Sequence, residues 1–406
     1  MKTIFFANHA QFEGRYTNLG DWAIFEHMIE ELSPYIEKKE VEVIVPSADI
    51  EFTMNNYPVL AFNRKGIAGF FRTIKYIIKS DVVVIGGGEI VQDRSSLVYI
   101  PYQLYRPFIG KLFSKKLFGY AIGVGEANEI SWLGKIQARL VLNAFDVITV
   151  RDKKSLNVLR DYIKVNRPKI YLTADPALNL QPQKAKNAQL YEKDFFVVSV
   201  RSVYHRNHNI LPFSIRKKMG LIPKEYYKEI DIFQQEVAEI IKLLAKEFQM
   251  PVYFLNTYVG KEMSASDDKF TTEVVNKIST NGEVKMHLID MDNTPSQIKY
   301  ILGKSKFVFT VPLHPLILAA SQYVPVFSMS YASKNKSFME QINQEKYVYP
   351  VEEIGQRLDK TIVYEDIKHV MSNIETYQTK LKTYVNENKQ VERNNCKYLL
   401  QLVEEA

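Results

Sequence analysis

The sequence has a single cysteine and no long apolar run. Cys396 stands in a polar tail, which excludes an internal disulfide framework and a cysteine-based metal cluster. No stretch reaches the roughly 18 apolar residues of a membrane-spanning helix. The opening MKTIFFANHAQF has too short an apolar core for a signal peptide, and repeats and low-complexity segments are lacking. We therefore expect a protein of the cytoplasm.

Composition and charge set the next limits. The chain has 406 residues, of which 46% are hydrophobic, enough for two domains with sizeable cores. Its 53 Lys and Arg exceed its 46 Asp and Glu, for a net charge of +7. Such a balance fits nucleic acid, an anionic membrane or acidic small substrates. Without a nucleic-acid motif, we rank nucleic acid last.

Basic and aromatic residues are interleaved in two stretches, 62–79 and 105–120. This mixture suits an anionic lipid surface as well as a phosphate backbone. Ordinary amphipathic helices with solvated lysines explain the same pattern.

Short β-rich runs alternate with helical patterns along most of the chain. The periodicity of 21–32 places Trp22, Phe25, Met28, Ile29 and Leu32 on one helix face. The first series of predicted strands is 2–7, 41–45, 81–88, 116–125, 145–150 and 169–174. After a polar linker at 178–194, the second series is 195–200, 252–257, 284–289, 307–311 and 324–330. Helices are predicted in the second series at 228–248, 266–279, 294–304 and 314–322.

These patterns predict two Rossmann-like α/β domains facing a cleft, in residues 1–180 and 195–350, followed by a helical segment in 355–406. Open α/β sheets bind ligands beyond the carboxyl ends of their strands. His314 follows the strand FVFTV and precedes Pro315, which we place in the first position of a helix. There the helix N-terminus favours a neutral ring that can act as a base. A helix-capping or core histidine fits the position equally well.

Several motifs have mainly structural interpretations. Asp21 is predicted to cap the helix that it opens, Asp152 to start a helix, and Arg151 to pair with Asp175. The Asp-x-Asp of IDMDN, at 289–293, imitates a metal motif, but the following NTPSQ supplies its own helix cap. We therefore predict no essential metal, and the glycine triplet at 86–88 lacks the spacing of a dinucleotide site.

An ordered set of short motifs resembles the polysaccharide pyruvyl transferase family. Near the end, PLHPLILAASQYVPVFSMSYASK is similar to the family's Arg-Leu-His, Gly-x-Pro and Tyr-x-x-Lys signature. The earlier motifs are NLGDWAIFEHM, DVVVIGGGEIVQD, GYAIGVGEAN, ITVRDKKSLNVLRD and YLTADPALNL. Two positions depart from the pattern: Pro312 replaces the arginine before Leu-His, and Tyr323 replaces the glycine of Gly-x-Pro.

The resemblance implies a GT-B-like fold and transfer of a pyruvyl group from phosphoenolpyruvate to two hydroxyls of a sugar. The acceptor it implies is a glycan that is commonly lipid-linked, for example to undecaprenyl, and no cofactor is expected. A lipid-linked acceptor would give the two basic aromatic stretches a purpose, docking at the inner membrane face with Lys111, Lys115 and Lys116 taking part. This chemistry needs an acid/base, for which we predict His314, and an anion clamp, for which we predict Arg201. Further predicted donor contacts are Lys334, Tyr331, Arg206 and His205. Predicted acceptor contacts are Gly87, Gly88, Glu89 and Asp21.

Two other functions remain open on the sequence. A GT-B glycosyltransferase using a nucleotide sugar would share the fold, and the change at Pro312 leaves room for another donor. A non-catalytic family member that binds a glycan is the second alternative. Arg201 in a surface ion pair and Lys334 as a solvated lysine are the corresponding structural interpretations.

Overall fold

The computed structural model describes residues 1–8, 18–94, 96–203, 211, 213–258, 267–279, 284–290, 292–330, 332–351 and 355–406. They form two compact units. The first includes Met1–Leu180 and Asn388–Ala406, and the second is built from residues between them, beginning at Gln181. Among the described residues, no helix combines the length and apolar character needed to span a bilayer.

The described residues of the first unit form a seven-stranded parallel sheet in the order β3-β2-β1-β4-β5-β6-β7. Its strands are β1 Lys2–Phe6, β2 Val41–Ser47, β3 Leu60–Asn63, β4 Val82–Val91, β5 Lys116–Val124, β6 Val147–Val150 and β7 Lys169–Leu172. Its helices are α1 Leu19–Glu37, α2 Ile50–Asn56, α3 Gly66–Lys79, α4 Tyr99–Leu112, α5 Trp132–Leu142 and α6 Lys153–Asn157. The strand order reverses between β1 and β4, which makes this the switch point of a Rossmann-like sheet.

The described residues of the second unit form a six-stranded parallel sheet in the order β10-β9-β8-β11-β12-β13. Its strands are β8 Phe196–Ser199, β9 Val252–Phe254, β10 Met286–Leu288, β11 Val308–Thr310, β12 Val326–Ser330 and β13 Val348–Pro350. Its helices are α7 Phe213–Lys218, α8 Lys224–Phe248, α9 Asp267–Ile278, α10 Pro295–Lys304, α11 Leu313–Ala320, α12 Ser333–Gln341 and α13 Lys360–Ser372. Here the order reverses between β8 and β11.

The predicted strands and helices are confirmed, and the two strands that the sequence patterns missed are both sheet edges. Edge strands β3 and β13 are short, and β13 ends at Pro350, so neither produces the long apolar run of a central strand. The predicted apolar face of α1 is buried in full. Two details were wrong. Asn18, rather than Asp21, caps α1 by accepting from the Gly20 N–H, and α11 begins at Leu313, two residues before Pro315.

Helices α3, α4 and α5 pack their buried sides into one core layer against the first sheet. Ile77, Ile100 and Ala138, one from each helix, belong to the same buried cluster as Phe5 and other strand residues. Helix α1 is the crossover between β1 and β2, on the other side of the switch point, and so covers the opposite face.

The predicted C-terminal helices comprise α13, α14 Ile374–Glu392 and α15 Asn394–Glu404. Asn395 fixes the beginning of α15 to the first unit, because its fully buried amide donates to the Ala174 carbonyl at 3.0 Å and accepts from the Thr173 hydroxyl at 2.7 Å. Nearby, the buried Glu392 accepts from the Asn179 amide at 2.6 Å and lies 3.2 Å from Nε2 of His27 on α1.

His27 gives the first unit a specific pH dependence. Burial acts to lower the pKa of His27, but the Glu392 carboxylate, helped by Glu30, outweighs burial and raises the pKa from 6.5 to about 9. Because the folded-state pKa is raised, the stabilisation is fully present below pH 6.5 and disappears as the pH rises through about 9.

We therefore expect the free energy of unfolding, measured in urea, to fall between pH 6.5 and pH 9 in the wild type. His27→Gln should be less stable at pH 6 and should lack most of this fall, whereas His369→Gln, at an exposed position, should keep it. An identical pH profile for wild type and His27→Gln would contradict the assignment.

Candidate functional site

The predicted donor residues follow three adjacent strands of the second sheet. Arg201 lies two residues beyond β8, His314 lies in the first turn of α11 after β11, and Lys334 lies in the first turn of α12 after β12. The backbone pairs β8 and β11 up to their carboxyl ends, where the Val311 N–H donates to the Ser199 carbonyl at 2.9 Å. All three side chains therefore lie just beyond the carboxyl ends of adjacent strands, next to the switch point. Tyr331, His205 and Arg206 lie outside the described residues.

Arg201 is held by a buried carboxylate. Its Nε and Nη2 donate to the two oxygens of Asp267 at 3.2 and 3.1 Å, and Nη2 also donates to the Thr257 hydroxyl at 3.1 Å. The Arg201 side chain is 19% exposed, whereas that of Asp267 is 3% exposed. The contact is thus a bidentate pair whose acid is buried, which fixes the plane of the guanidinium at the strand end.

Asp267 also joins α9 to the end of β9. Its Oδ2 accepts from the backbone N–H groups of Thr257 and Tyr258 at 3.0 and 2.8 Å, and from the Thr257 hydroxyl at 2.8 Å. Asp267 was not predicted from the sequence, because it lies well beyond the end of β9 at Phe254 and no motif marks it.

Replacing Asp267 should therefore be costly. Asp267→Ala removes the acceptor of Arg201 and of two backbone N–H groups, and we expect a loss of about 3 kcal/mol in the free energy of unfolding. Asp268→Ala, at the less buried next position, is the matched control and should cost under about 0.5 kcal/mol. Equal effects in urea unfolding would show that the Arg201–Asp267 pair is not important for stability.

The loop that carries His314 is tied to its neighbours. Pro312, in place of the arginine that the sequence pattern would contain, is the N-cap residue of α11 and makes no side-chain cap. Its carbonyl accepts from the Thr310 hydroxyl at 3.2 Å, and the Val311 carbonyl accepts from the fully buried Asn335 amide at 2.9 Å. His314 itself is partly buried, and its Nε2 atom lies beneath the surface.

The predicted acceptor residues of the first unit lie near the switch point between β1 and β4. Gly86 and Gly87 have φ angles of 152° and 70°, which favour glycine, and a Cβ on Gly86 would come within 2.0 Å of the Tyr120 carbonyl oxygen. The Asn8 side chain binds this glycine segment of β4, since it accepts from the Gly86 N–H and donates to the Gly86 carbonyl, both at 3.2 Å. Asn8 was missed, although a polar residue directly after the first strand is a usable signal.

Two of these predicted residues meet, because a Cβ on Gly88 would lie 3.6 Å from Oδ1 of Asp21. Asp21 is exposed in the first turn of α1, where it accepts from the Asn18 amide at 3.1 Å. Gly88 and Asp21 thus place a backbone segment and a carboxylate side by side.

Glu89 lies in a network of ion pairs instead of on an open surface. Its carboxylate is 2.5 Å from Nη2 of Arg94 and 3.7 Å from Nζ of Lys154, and Arg94 also contacts Glu129 at 3.1 Å. Such an arrangement orients two cations at the carboxyl ends of the strands.

Arg151 continues the network as predicted from the sequence. It pairs with Asp175 at 2.8 Å, and Asp152 caps α6 by accepting from the Ser155 N–H. Burial opposes the charge of Arg151, but Asp175 and Asp152 outweigh burial and raise its pKa. A Cβ on Gly123 would come within 2.8 Å of the Arg151 guanidinium, so this glycine makes room for it.

The IDMDN segment is followed directly by the N-cap that the sequence predicts for α10. Thr294 and Gln297 form a capping box at the start of α10, and Asp290 accepts from the Asp292 N–H at 2.9 Å. Among the described residues, no group of three or more His, Cys, Asp or Glu side chains is arranged to hold a metal ion.

Comparison with known proteins gives a family and a fold. The model of the polysaccharide pyruvyl transferase family matches residues 18–333, a range that contains Arg201 and His314 and stops one residue before Lys334. No curated protein matches the chain.

Solved structures with a similar fold include UDP-GlcNAc 2-epimerase from Neisseria meningitidis bound to UDP-GlcNAc, with 12% identity, complete coverage of both chains and a TM-score of 0.61. S. aureus MnaA with UDP has 14% identity, 99% and 98% coverage and a TM-score of 0.60. Anabaena HepE with UDP and glucose has 11% identity, complete coverage and a TM-score of 0.60. At these identities the similarity establishes the fold alone, and it confirms the predicted two-domain GT-B-like α/β class.

Proposed function

Because the chain belongs to the polysaccharide pyruvyl transferase family and is therefore a transferase, we propose that it transfers a pyruvyl group from phosphoenolpyruvate to a sugar of a lipid-linked polysaccharide precursor. The family match over residues 18–333 carries the proposal. The second unit binds the donor and the first unit binds the acceptor. No cofactor takes part in this reaction.

The proposed donor site uses the cations at the switch point of the second sheet. Phosphoenolpyruvate carries a carboxylate and a phosphate, which a guanidinium binds in a bidentate manner. Arg201 supplies that guanidinium in an orientation set by Asp267. Lys334 adds a second positive charge two strands away in the sheet and takes over part of the role of the family arginine that Pro312 replaces. Tyr331, His205 and Arg206 are further proposed donor contacts.

The chemistry then requires one acid/base group near the reacting carbon. Protonation of the methylene carbon of phosphoenolpyruvate makes the neighbouring carbon electrophilic, and a sugar hydroxyl attacks it while losing its proton to a base. The C–O bond to phosphate then breaks, a second hydroxyl attacks the same carbon to close the cyclic ketal, and the proton of that hydroxyl ends on the departing phosphate. We assign the proton transfers to His314, which starts from the same sheet edge as Arg201.

Acceptor binding is proposed for the first switch point. Gly87 and Gly88 let a sugar approach the backbone, and the exposed Asp21 offers a carboxylate for sugar hydroxyls. Glu89 contributes by holding Arg94 and Lys154 in place. These cations suit the diphosphate of a lipid-linked sugar better than a neutral glycan.

The first test is calorimetry with phosphoenolpyruvate and a matched set of variants. We expect Arg201→Ala to weaken binding by about tenfold or more, because a charge-assisted pair contributes roughly 1.5–3 kcal/mol. Arg201→Lys should restore only part of the affinity, since it keeps the charge without the fork. Lys334→Ala should also weaken binding, whereas Lys336→Ala, on the exposed side of the same helix, should not.

His314→Ala should behave differently, with retained phosphoenolpyruvate binding and turnover lowered by about 10²–10⁴. Wild-type protein that binds no phosphoenolpyruvate, either alone or with a glycan acceptor, would refute the donor assignment. Binding of UDP-GlcNAc in its place would favour the nucleotide-sugar transferase, and glycan binding without turnover would favour a non-catalytic role.

A further inference from the structure

Helices α3, α4 and α5 form the outer helical layer on one face of the first unit. They are neighbours: Arg64, just before α3, donates to the hydroxyl of Tyr102 on α4, and Gly134 of α5 packs against Ile100 of α4. Their outward sides are unusually apolar. The most exposed apolar side chains are Ile67 at 80%, Trp132 at 72%, Leu140 at 71% and Leu112 at 66%, followed by Phe71 at 63%.

This apolar exposure is concentrated in one part of the protein. Among the described residues, half of the large apolar side chains that are exposed belong to the segment 67–140, and most of these lie on the three helices. Contiguous exposed apolar surface of this kind marks an interaction site in a protein that must stay folded in water.

The charge of the outer helical layer has only one sign. Helices α3, α4 and α5 contain no Asp or Glu, although the chain has 46 such residues. Exposed cations on them are Arg72, Lys75, Lys79, Lys111 and Arg139. Helix α1, on the opposite face of the sheet, has five acidic residues and no Lys or Arg. The outer helical layer therefore attracts anions, unlike α1.

A buried arginine strengthens the positive face. Arg106 of α4 is only 2% exposed, and its Nε and Nη1 have no hydrogen-bond partner among the described residues. It packs on the rings of Tyr105 and Tyr102 at 4.6 and 5.7 Å. Burial lowers the pKa of Arg106 and Arg64 adds to the effect, so two cations lie together beside the exposed Tyr102. The other buried arginine among the described residues of this unit, Arg151, has a carboxylate partner in Asp175.

We propose that the outer helical layer is a docking surface for a bilayer of anionic phospholipid. Ile67, Phe71, Trp132 and Leu140 enter the interfacial region, while the surrounding lysines and arginines contact headgroup phosphates. Arg64 and Arg106 attract one such phosphate beside Tyr102. The surface would bring the enzyme to the lipid-linked acceptor proposed above, but its test needs no substrate and so fails or succeeds separately from the proposed reaction.

The charge pattern favours a bilayer over a second copy of the chain. Two copies meeting through this layer would face each other with cations and no carboxylates, which is unfavourable. A nucleic acid would satisfy the cations but would leave Ile67 and Leu140 in water. An anionic bilayer satisfies both the charges and the apolar side chains, and Trp132 is typical of the membrane interface.

Vesicle flotation of the full-length chain tests the charges. We expect binding to phosphatidylcholine vesicles that contain phosphatidylglycerol, weak binding to phosphatidylcholine alone, and loss of binding at high salt. The triple variant Arg72→Glu, Lys75→Glu, Lys79→Glu should lose about a hundredfold or more in affinity, because each cation near an anionic surface is worth about fivefold. The control Lys224→Glu, Lys228→Glu, Lys246→Glu, on α8 of the second unit, should bind like the wild type.

The apolar side chains are tested in the same way. We expect one triple variant, Phe71→Ser, Trp132→Ser, Leu140→Ser, to bind anionic vesicles at least about tenfold more weakly, since buried apolar area drives interfacial insertion. The control is a second triple variant, Leu221→Ser, Leu288→Ser, Ile362→Ser, which changes residues of the second unit with somewhat lower exposure and should bind vesicles like the wild type. The proposal would be overturned if the wild-type protein did not bind anionic vesicles. It would also be overturned if sedimentation showed a wild-type dimer that the variant Arg72→Glu, Lys75→Glu, Lys79→Glu dissociates.

The variant Arg106→Met distinguishes a role of Arg106 in binding lipid phosphate from a role in stabilising the fold. Because Arg106 has no carboxylate partner among the described residues, methionine of similar length should leave the melting temperature unchanged or raise it. Affinity for anionic vesicles should fall severalfold. A lower melting temperature with unchanged vesicle binding would overturn the role given to Arg106.

Discussion

Parallel strand pairing is the constraint on which the rest of the structure depends. In a parallel sheet every strand must be followed by a crossover, so all carboxyl ends gather on one edge. Both sheets also reverse their strand order once, between β1 and β4 and between β8 and β11. Asn8 and Arg201 follow β1 and β8, the glycine triplet lies within β4, and His314 lies in the first turn of α11 after β11. The strand order thus decides where the candidate functional residues lie.

Buried charge is treated in two ways within the first unit. Near the strand ends, two largely buried cations have acidic partners: Arg94 pairs with Glu89, and Arg151 pairs with Asp175. Arg106 lies among tyrosine rings under the acid-free outer helical layer. A compensated network supports a rigid site, whereas an uncompensated cation leaves electrostatic potential that an external anion can satisfy.

The sequence was sufficient for most of the fold, because buried parallel strands are long apolar runs that leave a clear signal. Strands β3 and β13 leave none, since both are short and β13 ends at Pro350. The helix cap at Asn18 was assigned to Asp21 because both residues suit a cap and only backbone geometry distinguishes them. The Arg151–Asp175 pair was predictable from the order of two motifs, but Asp267 was not. Its contact with Arg201 joins positions 66 residues apart, and no local pattern encodes that distance.

The return of Asn388–Ala406 to the first unit has a consequence for synthesis. Helix α15, with the Asn395 amide that joins the chain after β7, is translated after all of the second unit. Most of the first unit therefore emerges from the ribosome before the second but waits for α15, and His27 and Asn179 lack Glu392 during that time. A frameshift within the codons for Asn388–Ala406 would consequently damage the unit whose sheet is made first, whereas the strands of the second sheet all precede it.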